Sequence, residues 1–182
     1  KLKFTSVQFI NDNDIIVSEK NTSSVIRINN VFRNPSIKAV ISGTEELKSA
    51  YEKVFYSKDG DFVSQKRQNT AYADRSEKLG KRQYHLMVFN NNTGGRNSFY
   101  YKYMVNEEKM TYSLENAMEL PYSSDGGNLS LNQGYLIAAS TGEGGFEEYN
   151  PDGYRLASFT FKDGKKAYRV FKHSMKGSWF TK

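Results

Sequence analysis

Residues 4–41 read FTSVQFINDNDIIVSEKNTSSVIRINNVFRNPSIKAVI, and the fold is decided by where this stretch turns. Residues 4–10 are a strand candidate and Asn11-Asp12-Asn13-Asp14 is a turn. Ile15-Ile16-Val17-Ser18 follows as a short apolar strand. Asn21-Thr22 turns the chain again, and residues 24–29 alternate through Val25-Ile26-Arg27-Ile28. Residues 37–41 supply a fourth strand. Short strands at even spacing, broken by Asn and Asp that bond their own backbone, predict an antiparallel meander.

The same order recurs near the other end. Residues 128–131 form a strand, Asn132-Gln133-Gly134 a turn, and residues 135–139 an apolar strand. Residues 145–149 are the third strand, Asn150-Pro151-Asp152-Gly153 a strong turn, and residues 154–161 the fourth strand. Between these two units lies a longer copy with strands at 70–73, 84–89, 99–105 and 112–120. Residues 168–173 read as a closing strand without partners, and 45–54 as the one short helix or ordered loop.

Serial four-stranded antiparallel units are the pattern of propeller blades. The expected fold is therefore all-β: residues 1–182 form a single β-propeller segment with blades at 4–41, 70–120 and 128–161 and a closing strand at 168–173. About three blades are present, a partial or open propeller, since three do not close a ring. A two-sheet sandwich is the structural alternative.

Composition agrees with β structure. The 182 residues include 13 Tyr and 12 Phe but 3 Pro, a balance suited to pleated surfaces. No apolar run reaches the ~18 residues of a membrane helix. The absence of Cys excludes disulfides, thiolate metal sites and cysteine nucleophiles. With His85 and His173 the only imidazoles, a multi-histidine metal site is not expected. The net charge of +6 is scattered, so no nucleic-acid partner is expected. Lys1-Leu2-Lys3-Phe4-Thr5 has neither an initiator Met nor an apolar signal core, so the chain reads as a processed or excised segment.

Several segments also resemble a known family. Phe4-Thr5-Ser6-Val7-Gln8-Phe9, then Asp14-Ile15-Ile16-Val17-Ser18-Glu19-Lys20, then Ser24-Val25-Ile26-Arg27-Ile28, resemble a blade of bacterial arylsulfate sulfotransferases. Gln68-Asn69-Thr70 is similar to that family's Gln-His-Thr. Val88-Phe89-Asn90-Asn91-Asn92 with Arg96 is similar to its Val-Phe-Asp-Asn-Gly loop and following arginine. Pro121-Tyr122-Ser123 and the stretch 127–137 resemble its Tyr-Ser and Gly-Asn-rich strand, and Tyr168-Arg169-Val170 its closing Tyr-Arg-Val. The ordered succession covers nearly the whole chain. The family fold is a six-bladed propeller, so the resemblance implies its C-terminal half.

The resemblance implies transfer of a sulfuryl group from a phenolic sulfate ester to a phenol, with no cofactor. Such a reaction needs a nucleophile, an acid for the leaving phenolate, and donors for the sulfate oxygens. Carried over, the first histidine position falls on Lys3 and the histidine of Gln-His-Thr on Asn69. The arginine is kept as Arg96. No histidine stands near 136–140, where the sulfuryl-accepting one belongs. Lys3, Asn69 and Arg96 are the expected catalytic positions, facing one cavity, and Lys20 and Arg169 the anion-binding ones. The expected enzyme is impaired or incomplete in this chain, and lies in the periplasm, on the cell surface or outside the cell. Its partners are a small aryl sulfate or phenol, and either a missing N-terminal half or a second copy.

Other residues have plainer readings. His85 alternates with Met87 and Phe89 and reads as a packed strand residue, and His173 as a surface one. Tyr100, Tyr101 and Tyr103 suit strand packing. Asp12, Asp14, Asp125 and Asp152 read as turn caps without calcium-loop spacing. The competing function is a non-catalytic propeller module that binds an anion, a glycan or a protein. A third, a nucleic-acid-binding β domain, needs aromatic and basic residues interleaved on one face, which only residues 99–102 suggest.

Overall fold

A computed structural model describes residues 1–74 and 79–173. The first sheet is built from β1 (Phe4–Phe9), β2 (Ile15–Glu19), β3 (Ser24–Asn29) and β4 (Ser36–Ser42), in sequential order. Asn11 shapes its first turn, accepting the backbone N–H groups of Asn13 and Asp14, both at 2.8 Å. The second sheet contains β5 (Ser57–Lys58), β6 (Ala71–Asp74), β7 (Gln83–Asn90), β8 (Ser98–Asn106) and β9 (Thr111–Leu120), in the order β5-β9-β8-β7-β6. The third contains β10 (Asn128–Asn132), β11 (Tyr135–Ser140), β12 (Gly145–Tyr149) and β13 (Arg155–Thr160), again sequential. No strand is exchanged between sheets, which removes the sandwich.

The sheets stack face to face with the second in the middle. Tyr84, Leu86 and Val88 of β7 pack with Ile16, Val25, Ala39 and Ile41 of the first sheet. Met87 and Phe89, on the opposite face of the same strand, pack with Leu129, Leu136 and Tyr149 of the third. A strand buried on both faces must read as a nearly continuous apolar run, which is why Tyr84-His85-Leu86-Met87-Val88-Phe89 lacks polar alternation. The tyrosines belong to this core: Tyr103 meets Tyr101 and Tyr112 edge-on at 5.6 and 5.4 Å, and its hydroxyl donates to Gln65 Oε1 at 2.9 Å.

The edge strands β1, β6 and β10, one from each sheet, lie along one side, as the inner strands of propeller blades do. Side chains stitch them together. Ser6 Oγ donates to the Ala71 carbonyl and accepts the Ala71 N–H, at 3.2 and 3.0 Å. Gln8 repeats this on Ala73, at 3.0 and 2.7 Å. The chain is thus an all-β, partial propeller-like array. Its two outward faces carry exposed apolar residues: Val7 and Phe9 on the first sheet, Phe159 on the third.

Two expectations need correction or refinement. Residues 168–173 do not form a strand. They run beside β10, but the side-chain amide of Asn128 takes the place of a neighbouring backbone, accepting the Val170 N–H at 2.8 Å and donating to its carbonyl at 2.9 Å. Within 45–54 the regular structure is a 3-10 turn at Glu52–Val54, after which β5 pairs in parallel with β9.

Candidate functional site

In an antiparallel meander, the approach to the first strand, the turn between the second and third, and the exit from the fourth all fall at one end. Lys3, Lys20, Ser23, the loop 64–70, Asn90 and Asn91, and the loop 121–127 therefore gather at one end of the three sheets. Hydrogen bonds show how closely. Gln68 Nε2 donates to Ser18 Oγ and to the carbonyls of Glu19 and Ser24, and Gln65 Nε2 to those of Ser23 and Ile41. Gly43 allows the approach, since a Cβ there would stand 1.8 Å from the Gln65 carbonyl oxygen.

The loop 123–127, between β9 and β10, is the hub. Asn69 Nδ2 donates to the Gly127 carbonyl at 2.7 Å, and Thr70 Oγ1 to the same oxygen at 2.8 Å. Asn91 Nδ2 donates to the carbonyls of Ser123 and Gly126, both at 2.7 Å. Gly127 sits at φ +104° against the Phe89 ring, where any Cβ would fall 2.4 Å from a ring carbon. At the tip, Asp125 receives two cations. The Lys20 ammonium pairs with Oδ1 and reaches the Ser124 carbonyl at 3.3 Å, and the Lys3 ammonium lies 3.3 Å from both carboxylate oxygens.

Burial separates these groups. The Lys20 side chain is 3% exposed, against 49% for Lys3 and 66% for Asp125. The hydrogen bond from Lys20, joined by the charges of both lysines, holds the Asp125 carboxyl down at about 2 against burial that would raise it. Beneath the lysines, Glu19 is wholly buried. Burial raises its pKa, but the N–H groups of Lys3, Asn21 and Thr22 and the Thr22 hydroxyl prevail and leave it below the usual carboxylate range. Asn91 Oδ1 and Gln68 Oε1 are buried acceptors with no hydrogen-bond partner among the described residues.

The structure thus brings Lys3, Lys20 and Asn69 around one loop. Arg96 lies exposed in the turn between β7 and β8, with no contact to Lys3 or Asn69 among the described residues. Arg169 is exposed and donates to the Thr5 carbonyl at 3.0 Å, closing the far side of a cavity of about 350 Å³ between β1, β6 and β10. His85 is buried towards the opposite end of β7, with Nε2 2.9 Å from Glu115. His173 is exposed beyond Lys172 at that same far end, where Asn132 holds the Lys172 carbonyl. A roomier cavity of about 600 Å³ also lies there, walled by Tyr72, Tyr100, Met87 and Met118; it is distant from the clustered donors. Sequence reasoning missed Asp125 and Asn91. The Ser-Ser-Asp-Gly-Gly connection at 123–127 reads in the sequence as a turn between two sheets, which does not mark its Asp as an ion-pair partner.

Chemically, this end offers an oxyanion two ammonium groups and the second N–H of the Asn69 amide, whereas both N–H groups of Asn91 are taken by Ser123 and Gly126. It presents no imidazole among the described residues. The sequence profile described as arylsulfotransferase (ASST) matches residues 5–170. No curated protein matches significantly. Among solved structures, a protein of unknown function from Bacteroides caccae is similar at 12% identity and a TM-score of 0.47, covering 88% of this chain and 47% of that one. Citrobacter koseri AztD is similar at 9% identity and 0.40, covering 92% and 49%. The chain thus spans about half the length of each.

Proposed function

Because the chain belongs to the arylsulfotransferase family, we propose that it binds a phenolic sulfate ester at the Lys3, Lys20 and Asn69 end, and that sulfuryl transfer to a phenol is impaired in it. The observation that carries this reading is the convergence of Lys3, Lys20 and Asn69 on one loop although they are far apart in sequence. The ammonium pair would hold the sulfate oxygens, and Asn69 would lend an amide donor. Transfer also needs a group that attacks sulfur and one that protonates the phenolate. An amide does neither at neutral pH, and ion-paired ammoniums have no free electron pair. Both histidines stand at the other end.

Arg96 remains the family-matched arginine, free to reach an ester that projects from the loop. The membership supports a place outside the cytoplasm; no described helix is long and apolar enough to cross a membrane. The outward apolar faces are where a missing N-terminal half or a second copy would pack.

The test is direct. Purified protein is mixed with 4-nitrophenyl sulfate and a phenol, with binding followed by calorimetry and transfer by nitrophenol release. Binding that weakens with salt, without sustained release, is expected. Robust turnover abolished in Arg96→Ala overturns the impairment, and absence of ester binding overturns the reading.

A further inference from the structure

The donors that would hold an anion already hold part of the chain itself. Every one of them points at the loop 123–127: Asn69 and Thr70 at Gly127, Asn91 at Ser123 and Gly126, Lys20 at Ser124 and Asp125, Lys3 at Asp125. The one formal negative charge in this loop sits between the two ammonium groups, where a sulfate group would sit. We propose that the Asp125 carboxylate is a built-in occupant of the anion subsite, which an incoming sulfate ester must displace by swinging out the loop tip. This rests on the anion-binding reading above.

Three features favour displacement over a permanent bridge. First, the loop is held at its base and not at its tip. Ser123, Gly126 and Gly127 are buried and fixed by Asn69, Thr70 and Asn91, whereas Ser124 and Asp125 are exposed. The tip can leave with those base bonds intact. Among the described residues, besides the lysine contacts, the Asp125 residue is held only by Ser123 Oγ on its carbonyl, at 2.8 Å. Second, the tip joins its base at Gly126, at φ +74°. Rotation about its N–Cα bond moves the tip while its carbonyl stays on Asn91. Third, the cations stay behind. Lys3 and Lys20 flank β1 and β2 of the first sheet, joined by the Lys20 N–H to the Lys3 carbonyl at 2.9 Å, while Asp125 comes from the connection between the second and third sheets. When the tip leaves, Lys20 is a buried charge whose partner has gone, and a second anion fills that place.

The carboxyl is held at about 2, so it competes as an anion throughout the working pH range, and pH above 5 does not release it. The competitor changes with sequence, not with acidity. A site that must first expel its own occupant binds with an affinity reduced by the fraction of open loop.

Inorganic sulfate and 4-nitrophenyl sulfate are titrated by calorimetry into the wild-type chain and into Asp125→Asn, which keeps the shape and removes the charge. Both anions are expected to bind Asp125→Asn about tenfold more tightly, as for a site that is open in about one molecule in ten. Adding Lys20→Met to that variant is expected to erase the gain. In the wild type, amide NMR shifts on saturation with sulfate are expected at Ser124, Asp125 and Gly126, with Ala71 and Ala73 unmoved. This arm holds whether or not the variant folds. Wild-type binding without loop shifts, or equal affinity in Asp125→Asn, overturns the proposal and leaves the family reading standing. Tighter sulfate binding in Asp125→Asn with 4-nitrophenyl sulfate bound no better than inorganic sulfate sustains the proposal and removes the aryl ester instead. Failure of both anions to bind either protein overturns both.

Discussion

Lys20 combines a formal charge with near-complete burial, and its one ionic partner is a solvent-facing carboxylate. Replacing it with Met keeps the packed stem and deletes the ammonium. Since Asp125 is free to rehydrate, the cost to folding is small, and the urea midpoint is expected to shift little. Aryl sulfate affinity is expected to fall about tenfold or more, the usual scale for losing a charge-assisted contact. Asn69→Ala behaves in the opposite way. It strands the Gly127 carbonyl with Thr70 as its remaining donor and is expected to cost about 1–2 kcal/mol in urea unfolding. Ordered motifs marked Lys3, Lys20 and Asn69 in the sequence as candidates for one site. Asp125 was not so marked: a turn Asp usually caps its own backbone, and these ion pairs span 105 and 122 residues, with no local spacing to mark them.

Among elements, the loop 123–127 and the strand β7 lock each other. Gly127→Ala would drive a Cβ into the Phe89 ring at a backbone angle L-residues avoid, and is expected to destabilise by about 2–4 kcal/mol in chemical unfolding. Tyr103→Phe removes the hydroxyl that Gln65 accepts inside the core, and about 1–3 kcal/mol is expected by the same measurement. The strands of the three sheets were legible because alternation and Asn, Asp or Gly turns repeat there. The stretch 168–173 begins with the same alternation, at Tyr168 and Val170, yet side-chain amides of β10 hold it off the ladder. A periodicity of two shows that a segment is extended; it does not show what pairs with it. The two-residue β5 left no trace, since a parallel contact that short needs no pattern.

For the whole molecule, titration brackets the stable range. Asp14, Glu19 and Asp125 all ionise more easily in the folded chain than unfolded, so their contribution is complete above the unfolded values and is lost as pH falls through the folded ones. Buried Tyr56, Tyr101, Tyr103 and Tyr112 are raised, mainly by burial, so folding weakens once pH climbs past the ordinary tyrosine value of 10. Thermal scans are expected to give a flat midpoint from about pH 5 to 9, falling towards pH 2 and again above about pH 10. The aromatic-rich, proline-poor composition announced a β molecule, but the stacking order needed packing: the unbroken apolar run of β7 marks a strand buried on both faces and does not say which sheets cover it.

The stitching of β1 to β6 has a mechanical consequence. Ser6 and Gln8 each grip both the N–H and the C=O of one residue, Ala71 and Ala73. A slip of one position would present the wrong faces and abandon all four backbone groups at once. Shear between these sheets is therefore closed as a mode of motion, and adjustment is left to tilting or to the loops. The same grip gives β6, which has a backbone partner on one side only, the hydrogen-exchange behaviour of an interior strand: the Ala71 and Ala73 amides should be among the slowest to exchange, although they lie at the margin of their sheet.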